Sequence, residues 1–144
     1  MITVIPCEPP HILEIHASRP FKFVGDDPLK FAELVCRSGT AFSGMKDGKI
    51  IGAAGVQSLH AGVGRAWALL TPEVLAHRFF LHRAVRRKLP QIFRAGNFHR
   101  IEALVLRGFG PGCAWAVSLG FKMEGIMLKY DSEKQDYYLY SLTT

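Results

Sequence analysis

Six histidines are the first residues to test for chemistry: His11, His16, His60, His77, His82 and His99. None is paired with another at i,i+3 or i,i+4, and no His-Glu-x-x-His string occurs, so no metal site is expected. The three cysteines, Cys7, Cys36 and Cys113, are odd in number and far apart. Without a Cys-x-x-Cys pair they read as reduced, mostly buried thiols, not as a zinc site or a disulfide framework. No Gly-x-Ser-x-Gly elbow is present, and Cys113 has no base beside it in sequence. Gly62-Val63-Gly64 lacks the rest of a dinucleotide fingerprint. Gly108-Phe109-Gly110-Pro111-Gly112 follows a strand pattern and precedes a helical one, but without Lys-Ser/Thr it reads as a joint with positive-φ positions. The densest basic run is Arg83, Arg86, Arg87, Lys88 and Arg94, with Arg100 beyond. No helix-turn-helix or RNP-like aromatic string accompanies it, so it reads as a solvated helix face and nucleic acid is not an expected partner.

These residues must be carried by a chain of 144 residues, 49% hydrophobic and 21% charged. That composition excludes a disordered tail, a collagen-like repeat and a coiled coil. One domain, spanning 1–144, is expected to bury roughly 68–70% of its unfolded surface. Eighteen Lys and Arg against twelve Asp and Glu leave a net charge of +6, which favours anionic partners. The start, Met1-Ile2-Thr3-Val4-Ile5-Pro6, does not match a signal peptide, and no apolar run approaches the ~18 residues that span a bilayer. A cytoplasmic protein with no membrane partner is the expectation.

Along the chain, Ile2–Ile5 reads as a strand, and Pro9-Pro10 opens a helix over His11–Ala17. Arg19-Pro20 and Gly25–Pro28 are turn chemistry, and Asp27-Pro28 then starts a second helix that Gly39 ends. Residues 40–45 and 50–56 form a hairpin around Asp47-Gly48. The small run Gly52-Ala53-Ala54-Gly55 implies close packing against the second strand. A turn at residues 62–64 leads to a third strand, Arg65–Leu70. Thr71-Pro72-Glu73 combines a hydroxyl cap, proline and a first-turn acid, and predicts a helix from Pro72 to Arg94 with Val74, Leu81, Val85, Leu89 and Ile92 on one stripe. Pro90 is expected to kink it or split off its last turn. A strand over 100–106, a short helix over 113–119 and strands over 121–130 and 136–142 complete the order. The sum is a mixed α/β fold with helices on both faces of a mostly antiparallel sheet of six to seven strands.

That order, together with Ala114-Trp115-Ala116-Val117-Ser118-Leu119-Gly120-Phe121-Lys122-Met123-Glu124-Gly125, resembles the GNAT superfamily of N-acetyltransferases. Gly48–Gly55 is similar to the family's second hairpin. The resemblance implies transfer of acetyl from acetyl-CoA, as cosubstrate, to a small-molecule or protein amine by direct attack. It implies that the strand Trp67–Leu70 splays from its neighbour, residues 101–105, and that the pantetheine arm lies in the gap. The pyrophosphate would then meet the helix start at Thr71. Cofactor contacts implied in this way are Trp67, Leu69, Leu70 and Thr71, with His77, Arg78 and His82 as basic side chains for phosphate.

The sequence departs from the family pattern in two places. No glycine occurs between Leu70 and Lys88, where the family has a glycine-bearing phosphate loop. Ala116 stands where the family often has its acid tyrosine, and Phe109 where it often has an asparagine. Tyr130 is a substitute donor, and Glu73 and Glu102 are candidate bases. The same losses resemble phage-borne GNAT-like proteins, including internal virion proteins. They make an inactive structural or interaction protein, located in a phage particle, the alternative expectation. A homodimer is also left open.

Overall fold

The computed structural model describes residues 1–18, 20–21, 24–37 and 40–144. The readings at Arg19 and Gly39 fall outside the described residues. The elements are β1 (Ile2–Pro6), α1 (Pro9–Ser18), α2 (Pro28–Cys36), β2 (Ala41–Lys46), β3 (Lys49–His60), β4 (Val63–Leu70), α3 (Pro72–Leu75), α4 (Arg78–Ala95), β5 (Arg100–Leu106), α5 (Gly110–Ser118), β6 (Lys122–Met127) and β7 (Tyr137–Thr143).

Local chemistry explains the boundaries. The Asp27 carboxylate accepts from the Lys30 amide at 3.1 Å and, with Pro28 in the first turn, starts α2 as the sequence predicts. Asp47 and Gly48 both have positive φ, 52° and 76°, which a two-residue hairpin turn between right-twisted strands demands. Gly120 follows α5 at φ 98°, the left-handed region where a side chain is strained, and turns Phe121 into the core at 5% exposure.

The seven strands lie in the order β1-β2-β3-β4-β5-β7-β6. Every pairing is antiparallel except β4 with β5. Two apolar layers flank the sheet. Ile12 and Ile15 of α1 and Ala32 and Val35 of α2 pack with Ala53 and Leu69 on one face. Leu89, Ile92 and Phe93 of α4 and Ala116 of α5 pack with Val56, Ile101 and Tyr140 on the other. Each fully buried aliphatic side chain contributes about 1.5–3 kcal/mol by leaving water.

Several predicted boundaries are corrected. The single helix over Pro72–Arg94 is two, because Ala76 and His77 break it. The physical reason is a conflict of packing directions. Val74 is buried against Gly52 of β3, whereas Leu89, Ile92 and Phe93 serve the core nearer β5 and β7, and one straight rod does not reach both. α4 continues through Pro90 to Ala95, so no last turn is split off. α5 begins at Gly110, not Cys113, and of the three glycines in the expected joint only Gly108 has positive φ. Gly64 belongs to β4, not to the turn, and pairs with Ser58 and Ile101. β3 is longer than expected, and the strand expected over 121–130 is only Lys122–Met127.

Candidate active site

The site is built around β4. Its antiparallel register with β3 runs from Val63 to Leu70. Its parallel register with β5 covers only Val63↔Arg100, Gly64↔Ile101 and Arg65↔Glu102. Beyond Arg65 the two strands part, although β4 runs on to Leu70 and β5 to Leu106. The edge of β4 that faces β5 therefore offers backbone groups without a ladder partner over residues 66–70, opening a slot between neighbouring strands.

The β4 wall of the slot is fixed from the face that α1 and α2 cover. Leu69 is fully buried under α1 and α2. Trp67 is half-buried, and Phe31 of α2 meets its ring edge-on at 5.6 Å and 79°. At the open end Thr71 holds the corner: its hydroxyl donates to the Ile51 carbonyl at 2.5 Å and accepts from the Val74 amide at 3.3 Å. α3 thus occupies the stretch where the sequence lacks phosphate-loop glycines. His77 then starts α4 without any side-chain cap, so first-turn N–H groups stay available.

The basic candidates have separate fates. His77 Nε2 lies 3.5 Å from Lys46 Nζ, beside a cavity of about 330 Å³ lined by Met1, Ile2, Lys46, His77 and Phe80. Arg78 is exposed, and its guanidinium lies 5.2 Å from the centre of the Phe79 ring. His82 faces α5, where its Nδ1 accepts from Trp115 Nε1 at 3.2 Å.

Of the acid–base candidates, Glu102 and Tyr130 come together and Glu73 does not. Arg65 links the first two, donating from Nη2 to Glu102 at 3.1 Å and from Nη1 to the Tyr130 hydroxyl at 3.2 Å. Arg100 closes the other side of Glu102 at 3.0 Å and forks onto Glu124 at 2.7 and 2.8 Å. Burial of the Glu102 carboxyl opposes ionisation, but the hydrogen bonds and charges of Arg65 and Arg100 outweigh it and hold the group below the usual carboxylate range. The Arg100 bonds, and a further one from Ser141, hold Glu124 down to about 2. Glu73 is exposed in the first turn of α3, at the opposite end of β4.

Sequence reasoning missed Arg65 and Lys46. Arg65 shares strand parity with Trp67 and Leu69, so a cation at an inward strand position was the available signal. Lys46 carried none, because its approach to His77 depends on how α4 crosses β2.

No protein-family model matches the sequence, and no curated protein matches it significantly. Solved structures do. Ard1 from Thermoplasma volcanium superposes with a TM-score of 0.81 over 99% of this chain and 97% of that one, at 12% identity. An acetyltransferase of the GNAT family from Streptococcus pneumoniae gives 0.78 over 100% of both chains at 13% identity. The ribosomal-protein-S18-alanine N-acetyltransferase from Escherichia coli gives 0.76 over 99% and 94% at 19% identity. These superpositions over nearly the whole chain show that it has the fold of the GNAT-family acetyltransferases.

Proposed function

We propose that the protein is an N-acetyltransferase that passes acetyl from acetyl-CoA to a small-molecule or protein amine by direct attack within a ternary complex. The observation that carries the reading is the end of the β4–β5 register at Arg65↔Glu102. A slot edged by unpaired strand backbone suits an extended arm bearing amides, which pairs with strand backbone as another strand does. The fit at the phosphate end is of a different kind. With α3 in place of a glycine loop, the anion-holding groups are the uncapped first turn of α4, Arg78, and the Lys46–His77 pair. Acetyl-CoA, when bound, supplies an acetyl group activated as a thioester.

The residues of the chain then have distinct tasks. Backbone N–H of Leu69 or Leu70 steadies the carbonyl oxygen as charge develops. Trp67 and Thr71 hold the slot wall and its corner. Tyr130 accepts from Arg65, so its own proton remains free to donate to a leaving thiolate. Glu102 acts by fixing Arg65, and through it Tyr130. Glu73, at the phosphate end of β4, lies too far from the Tyr130 hydroxyl to serve the same reacting carbon, and as a first-turn acid of α3 it is given no part in the transfer. His82, committed to Trp115 through Nδ1, keeps Nε2–H as a donor toward phosphate.

A second reading has its own supporting observation. The glycine-free stretch after β4 folds as a turn of helix, and Ala116, at 6% exposure, is core, which suits a GNAT-fold protein that works through its surface and turns nothing over. Calorimetric titration with acetyl-CoA decides between them. A dissociation constant of about 1–100 µM is expected, weakened roughly tenfold by Arg78→Ala and unchanged by Arg87→Ala. Absence of heat at millimolar acetyl-CoA removes the transferase reading, and equal effects of the two variants remove the role of Arg78.

A further inference from the structure

We propose that Cys7 and Cys36 are a reversible redox pair that closes into a disulfide, stapling the end of α2 to the exit of β1. Cys7 is the first residue after the edge strand β1 and is 7% exposed; Cys36 is the last residue of α2 and is half-buried. The Cys36 thiol donates to the Cys7 sulfur at 3.5 Å, so the atoms that must bond already touch. The remaining thiol, Cys113, packs with the core on the other face of the sheet and offers no competing partner.

The surroundings set the order of events. Burial is the largest cause raising both thiols, and Cys36 is pushed up to about 12. The Glu8 carboxylate raises both further, while the Ser43 hydroxyl, itself bonded to His11, favours ionisation of Cys7. The pair therefore resists casual oxidation. A small disulfide such as glutathione disulfide meets the more exposed Cys36 first. The Cys36 thiolate, having lost its proton to solvent, attacks one glutathione sulfur and releases one glutathione thiolate. Cys7, likewise deprotonated, then attacks the Cys36 sulfur, forming the protein disulfide and releasing the second glutathione. Two protein thiols are oxidised by two electrons, and one small disulfide is reduced to two thiols. The second step runs forward because glutathione is a more acidic leaving thiol than Cys36. Because Phe31 of α2 abuts Trp67, the staple ties the redox state of the pair to the helix that backs the slot wall.

The test uses the full chain, incubated overnight with glutathione disulfide at about pH 8.5, then alkylated and digested without reduction. The expected result is a mass loss of about 2 Da, a cross-linked Cys7–Cys36 peptide, an alkylated Cys113, reversal by dithiothreitol and a Tm raised by several degrees. Cys113→Ser should behave as the parent. Cys7→Ser should lose the 2 Da change and accumulate a glutathione adduct on Cys36, whereas Cys36→Ser, left with the buried Cys7, should lose the change and take up little glutathione. The proposal is overturned if Cys7 and Cys36 emerge alkylated, separately glutathionylated or linked to Cys113. The peptide map of the parent chain decides this even if a variant fails to fold, and the result is independent of acetyl-CoA binding.

Discussion

At the scale of single residues, the site is organised by guanidinium groups more than by its carboxylates. Arg65 and Arg100 share Glu102, Arg100 forks onto Glu124, and Ser141 donates to the same carboxylate. Such a chain of charge-assisted bonds fixes the faces of β5, β6 and β7 beside the slot. It also carries a pH signature. The Glu124 carboxyl lies at about 2 in the folded chain against an ordinary 4.5, so its stabilising effect is fully present above pH 4.5 and disappears as pH falls toward 2. Glu124→Gln is therefore expected to lower the urea midpoint at neutral pH and to match the parent near pH 2. A difference that stays constant across that window would show the carboxylate to be uninvolved.

At the scale of elements, the close approach of β2 to β3 rests on small residues, as the run from Gly52 to Gly55 suggested. A Cβ on Gly55 would lie 2.6 Å from the Thr40 carbonyl oxygen and 2.7 Å from the Ala41 Cα, both backbone atoms that cannot swing aside. Gly55→Ala is expected to cost about 1–3 kcal/mol. Gly44→Ala, one strand over, meets only side-chain carbons at 3.7 and 3.9 Å and should stay within about 1 kcal/mol of the parent. Denaturant unfolding of the two variants side by side checks the argument; equal midpoints would refute it. The corner at Thr71 shows why the helix after β4 breaks where its periodicity predicts continuity. The cap and proline were legible, but the break at His77 follows from where Val74 and Phe93 must each be buried, and a periodicity stripe does not contain that information.

At the scale of the molecule, the fold's distinguishing act is to leave two parallel neighbours unzipped. Hydrogen exchange should report it directly. Amides of 66–70 that face β5 are expected to exchange faster than those of Val63–Arg65, and to gain at least about tenfold protection with saturating acetyl-CoA. Equal protection throughout β4 without ligand would mean that the strands are closed in solution. Much of this architecture was already written in the chain. Asp27-Pro28, Asp47-Gly48, Thr71-Pro72 and Leu119-Gly120-Phe121 each specify a turn or cap through local backbone chemistry, and in series they dictate the element order. What only the tertiary structure decided was which side chains meet. Arg65, Glu102 and Tyr130 are far apart in sequence and joined by hydrogen bonds from β4 to β5 and to the loop after β6, and the two thiols at Cys7 and Cys36 touch only because α2 folds back onto the sheet. Local propensity sets the dihedral angles of a segment. The company its side chains keep is set by the packing of segments distant in sequence, which no short stretch of residues encodes.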